Sequence, residues 1–338
     1  MVKSCELRVA WGYNLSVLLA ILLAVSGPSQ PETGPGGKEY PHRAYTVKKF
    51  GEDEKAFWIF LPSDPRPDTA PVILFLHGWL EVDPRGFIAW LEHLARRGNI
   101  VIYPRYQRSP LHPRPEMFAE ATEAFKKALG IVPSLGVVPD TSRFAVVGHS
   151  IGGMMAFAIA SSWDSLGLPR PKAVMSVQGG GKPLPSFAPE RINPNTLLIA
   201  VAGEDDFIVG EGLSREMITR AVQVPDSNKD FLVVMSDDHG FPPLFADHIS
   251  ALAGPPGMGC CAASLITRFY GKSNANVDAL DWYGWWKLFD GLCDAAFYGK
   301  NKRYALGGTP EQLYMGTWSD GMPVKRMRRP LFEGPEPE

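Results

Sequence analysis

The sequence predicts an α/β domain, with a mostly parallel central sheet, an N-terminal antiparallel hairpin and helices on both faces. Three observations carry this reading. Short continuous apolar runs such as Val72–Leu76 and Ala173–Val177 read as strands buried on both faces. Segments with helical spacing alternate with those runs, as crossover-connected parallel strands require. Two strand-like segments separated by the charged turn Gly51–Lys55 precede the alternation.

The elements follow in order. Arg43–Lys49 and Ala56–Leu61 form the hairpin, and Pro62–Pro71 is a loop. After the strand Val72–Leu76, Phe87–Arg97 has helical spacing through Phe87, Leu91 and Leu94. Ile100–Tyr103 is a strand, Glu116–Leu129 a helix and Phe144–Val147 a strand. Ile151–Trp163 is an apolar, small-residue helix. The strands Ala173–Val177, Thr196–Ala202 and Phe231–Met235 come next, with a helix at Leu213–Val222 between the last two. Val277–Phe297 is a longer helix whose Trp282, Trp285, Trp286 and Phe289 read as core.

Composition narrows the function classes. The 338 residues are 45% apolar and 21% charged, which excludes a disordered chain and supplies a sizeable core. A net charge of −2 gives no reason to expect nucleic-acid binding. No apolar run reaches the roughly 18 residues of a membrane span. Residues 1–26 read as a signal peptide: Lys3 and Arg8 are followed by the apolar Leu15–Val25, and Ala24 and Ser26 suit cleavage after Ser26. The expectation is a secreted or periplasmic monomer without stable membrane insertion once the leader is removed. Residues 27–39 are Pro/Gly-rich and polar, as in a flexible linker. Residues 40–299 are expected to form one folded domain. Residues 300–338 are a tail or edge-packed extension with a basic run at Lys325, Arg326, Arg328 and Arg329.

The chemistry begins at Gly148-His149-Ser150-Ile151-Gly152, which fits G-x-S-x-G between the strand FAVV and a strong helix. A sharp strand-to-helix turn there would present Ser150 Oγ at the carboxyl end of the sheet. A second feature is His77-Gly78-Trp79, directly after VILFL.

On these residues the chain resembles the α/β-hydrolase superfamily over roughly Tyr40–Gly299. GHSIGG looks like the elbow of secreted lipases, cutinase-type polyesterases and chlorophyllase-like esterases, within a dienelactone-hydrolase-like branch. VILFLHGW, followed by a helix and NIVIYPRYQ, is similar to the chlorophyllase-like members. The resemblance implies an α/β-hydrolase fold with Ser150 as nucleophile. It implies oxyanion donors at the N–H groups of Trp79 and Ile151. The family pattern after a strand ending at Gly203 implies Asp206 as the acid, with Asp205 as the alternative. It also implies a base in the loop after FLVVM, where His239 is expected and His248 is the alternative. Trp79 and His149 are counted as substrate-binding residues, although the place of His149 before the serine suits packing.

No HExxH or paired CxxC accompanies Asp237, Asp238, His239, Asp247 and His248, so neither a metal nor a cofactor is expected. A disulfide from Cys260 or Cys261 to Cys293 is expected if the chain is exported. The expected activity is hydrolysis of a small-molecule or polymeric carboxylic ester through an acyl-enzyme. The alternatives are acyl transfer or amide hydrolysis by the same residues, and a non-catalytic binding protein on the same scaffold.

Overall fold

The computed structural model describes residues 25–254 and 275–332. Residues 1–24 of the expected signal peptide and the cysteines at 5, 260 and 261 lie outside them, so the disulfide expectation does too. Cys293 is a buried thiol.

Eight strands form one sheet: β1 (Ala44–Phe50), β2 (Phe57–Ser63), β3 (Thr69–Leu76), β4 (Ile100–Pro104), β5 (Val138–His149), β6 (Ala173–Val177), β7 (Leu197–Gly203) and β8 (Lys229–Val234). Their spatial order is β1-β2-β4-β3-β5-β6-β7-β8. The β1–β2 hairpin is antiparallel and β2 runs antiparallel to β4. All remaining pairings are parallel. This is the α/β-hydrolase fold, as expected.

Alternation along the central strands explains the two helical layers. Val72, Leu74 and Leu76 face one apolar cluster, while Ile73 and Phe75 face the other. The first cluster is covered by α2 (Arg114–Ile131), α3 (Ile151–Ser162) and α4 (Gly212–Arg220). The second is covered by α1 (Ile88–Arg96) and α5 (Trp286–Tyr298). Every residue of α3 is buried, which is why its sequence is apolar on all sides. The predicted helix Val277–Phe297 divides: Leu280–Trp285 is a π-helix that leads into α5. A single turn, α6 (Pro310–Leu313), lies in the C-terminal region.

One further expectation is corrected. Residues 27–39 are packed rather than a flexible linker. Gly36 N–H donates to Asp290 Oδ2 at 2.8 Å, and Tyr283 Oη donates to Ser29 O at 3.1 Å. Asp290 also accepts from His93 Nε2 (2.8 Å) and faces Arg97 Nε (3.2 Å). Burial alone would raise its pKa, but the charges of Arg97 and His93 outweigh that and hold it below the usual carboxylate value. The segment is therefore tied to a buried, charged anchor that Pro/Gly composition does not announce. The two residues before it are engaged as well. Val25 O accepts from Phe241 N–H (2.8 Å), Ser26 N–H donates to Ser319 Oγ (2.9 Å), and Ser26 O accepts from Ser319 N–H (3.0 Å).

The C-terminal region takes the edge-packed form. Arg328 bridges Val233 of β8 in antiparallel fashion, while Arg329 pairs with buried Asp230. Half of the basic run is thus engaged with acids of the domain, since Arg328 also reaches Glu211 at 3.3 Å.

Candidate active site

The carboxyl ends of β3, β5 and β7 converge. Ser150 follows β5 directly, with φ 54° and ψ −121°, a strained conformation for a non-glycine residue. Close approach requires the flanking glycines. A Cβ at Gly148 would meet Gly152 O at 2.2 Å, and one at Gly152 would meet Leu76 O at 2.3 Å. The elbow is thereby pressed against the end of β3. Its backbone is held by Ser150 N–H donating to Val177 O and Gly180 N–H donating to Ser150 O, both at 3.0 Å.

Asp206 lies in the turn after β7. Its Oδ1 accepts from the N–H groups of Ile208 and Val209, each at 3.1 Å. Its Oδ2 is 2.8 Å from His248 Nδ1. The other ring nitrogen, His248 Nε2, is 3.0 Å from Ser150 Oγ. All three side chains are buried to within a few per cent of their surface. With Nδ1 protonated toward the carboxylate, Nε2 is left to accept the serine hydroxyl. Asp205 turns elsewhere and accepts from Ser236 Oγ at 2.8 Å.

The structure places His248, and not His239, against Ser150. His239 is exposed; its Nε2 is 2.7 Å from Asp320 Oδ2 and its ring lies beside Trp318. The reason is an excursion in the chain after β8. Asp237 and Leu244 pair as an antiparallel bridge, so the loop travels out through His239 and returns before His248. His248 sits in a turn. A signal was present: His248 is flanked by Ala246 and Ile249, which are buried, whereas His239 follows two aspartates.

His149, expected at the substrate, occupies a packing position. It is buried, and its Nε2 donates to His248 O at 2.8 Å. Burial first, then the neighbouring His248, push its pKa down to about 3, so it stays neutral and braces the His248 backbone. Gln178 performs a related task that sequence reasoning missed: its Nε2 donates to Asp247 O. Trp285 at the end of the π-helix reaches Ser250 O at 3.3 Å.

The His77-Gly78-Trp79 turn lies alongside the elbow. A Cβ on Gly78 would fall 2.8 Å from His149 Nδ1 and 3.4 Å from Ser150 Cβ. The turn is fixed by Tyr106, whose ring stacks on His77 at 3.9 Å and whose hydroxyl donates to His77 O. It is also fixed by Gln107 Oε1, which accepts from Leu80 N–H at 2.6 Å. Among the described residues, no acceptor engages the N–H of Trp79 or of Ile151. The Trp79 side chain is 45% exposed and forms one wall of a cavity of about 370 Å³. Pro110, Leu111, Arg114, Met117 and Ile151 line it, with Ser150 at its floor.

Residues 40–178 match the model of the chlorophyllase family. No curated protein matches the chain. A crystal structure of a variant of the esterase rPPE aligns with a TM-score of 0.48 and 16% identity, covering 69% of this chain and 83% of that one. Among the described residues, no helix is long and apolar enough to cross a membrane.

Proposed function

We propose that this α/β-hydrolase chain, similar to the chlorophyllases over residues 40–178, hydrolyses carboxylic esters with Ser150, His248 and Asp206 as its catalytic triad. The observation that carries the proposal is the unbroken hydrogen-bonded chain from Ser150 Oγ through His248 to Asp206. His248 Nε2 takes the proton as Oγ attacks the ester carbonyl, because a neutral hydroxyl is a poor nucleophile. Asp206 holds the ring tautomer and stabilises the imidazolium; its two backbone donors keep it oriented. The free N–H groups of Trp79 and Ile151 receive the developing oxyanion, each a donor of the kind whose loss costs roughly 3–4 kcal/mol. His248 then protonates the leaving alcohol. Water, deprotonated by His248, releases the acid and restores Ser150.

The leader at residues 1–26 supports export, with the ester met outside the cytoplasm.

Three variants test the assignment on a short p-nitrophenyl ester. Ser150→Ala and His248→Ala should each lower kcat by at least about 10⁴-fold, while His239→Ala keeps most of the wild-type rate. Full activity in His248→Ala, or loss confined to His239→Ala, would reverse the choice of base.

A further inference from the structure

One charged side chain in the cavity takes no part in the chemistry above. Arg114 is the first residue of α2 and lines the cavity beside Ser150. A Cβ built on Gly181 would lie 3.6 Å from Arg114 Nε, 3.7 Å from its Cζ and 3.8 Å from Ile151 Cγ1. The guanidinium therefore rests over Gly181, next to the residue whose N–H faces the oxyanion.

Its charge is unspent. The two carboxylates two and six residues along the same helix are engaged by others: Arg108 reaches Glu116 at 3.0 Å and Glu120 at 3.7 Å, and His112 lies 3.4 Å from each. Among the described residues, no carboxylate or carbonyl accepts from Arg114. Its position is also unfavourable for the helix, since a cation at an N-terminus opposes the helix dipole. A cation placed at the mouth of α2 without an acid serves neither helix stability nor an ion pair. Of the other lining side chains, Trp79, Pro110, Leu111, Met117 and Ile151 are apolar or aromatic, and His112 lies against Glu116 and Glu120 at 3.4 Å each.

We infer that Arg114 is a specificity-determining residue that binds a carboxylate carried on one arm of the ester, so that the preferred substrates are anionic half-esters. This rests on the ester-hydrolase reading above. The planar guanidinium fork matches a carboxylate, and the apolar walls suit the carbon chain or ring between that carboxylate and the reacting carbonyl. A single cation suits a single negative charge.

The test compares three substrates with the full-length protein: p-nitrophenyl butyrate, which is neutral; mono-p-nitrophenyl glutarate, with the charge on the acyl arm; and 4-acetoxybenzoate, with the charge on the alcohol arm. Arg114→Gln should lower kcat/KM about 10- to 100-fold on at least one anionic ester and leave the neutral ester within roughly twofold of wild type. Arg114→Lys should restore part of the loss, and added salt should narrow the wild-type preference. An equal loss on neutral and anionic esters would assign Arg114 to holding the Gly181 loop and overturn the inference, as would no loss on either anionic ester. Failure of wild type on all three would overturn the ester-hydrolase reading itself.

Discussion

At the scale of single residues, the site depends on groups whose type alone does not announce their role. Two histidines follow the acid in sequence, and distance from the strand end favours His239. What separates them is the surroundings of each: His248 is buried between Asp206 and Ser150, and His239 pairs with Asp320 at the surface. Ser150 was legible because a short-range pattern dictates its conformation, whereas His248 depends on a return of the chain fixed by Asp237 and Leu244. Glu81, two residues past Trp79, makes a measurable prediction. Burial first, then the charge of Asp83, raise its pKa from 4.5 to about 7. Below pH 4.5 it is neutral in folded and unfolded chains alike. Between pH 4.5 and 7 only the unfolded chain ionises it, so stability falls by ~1.4 kcal/mol per unit of pH, or roughly 3 kcal/mol in all. Denaturant titrations at several pH values should show that Glu81→Gln flattens this fall. Asp278, raised to about 7 by burial, contributes in the same direction, so some slope survives in the variant. An unchanged slope would remove Glu81 from the account.

At the scale of elements, periodicity carried most of the information. Each central strand predicted from an apolar run is present, because burial on both faces demands such runs. The hairpin was legible for the same reason. The π-helix at Leu280–Trp285 was not, since one extra residue per turn leaves the apolar spacing of the segment nearly unchanged. The strand–turn–helix at Ser150 is the element under most constraint. Gly152→Ala places a methyl against Leu76 O and His77 O, where backbone atoms cannot step aside. It should cost about 1–3 kcal/mol of stability by thermal or chemical denaturation and suppress ester turnover together. A variant as stable and active as wild type would mean that the elbow stands farther from β3 than described.

At the scale of the whole molecule, both ends of the described chain belong to the catalytic body. The polar, Pro/Gly-rich composition of residues 27–39 speaks for their intrinsic preferences and says nothing of a tertiary partner. That partner, Asp290, lies 254 residues away in sequence. The C-terminal region was easier to place in kind than in detail, since its contacts are ion pairs such as Arg329 with Asp230. Deleting residues 1–38 should lower stability by about 1–3 kcal/mol, because Asp290 loses the Gly36 donor while remaining buried. Thermal melts would show the drop, with Ser150 still labelled by a fluorophosphonate; an unchanged melting temperature would return the segment to the status of a linker.

The separation between Gly36 and Asp290 also sets an order of events during synthesis. The anchor for the first described residues is made long after they are, 254 residues further along the chain. Until α5 has emerged, the N-terminal segment has nowhere to dock, and the sheet has to assemble with that end still loose. Docking of that segment is therefore timed by a helix that lies 254 residues downstream of it.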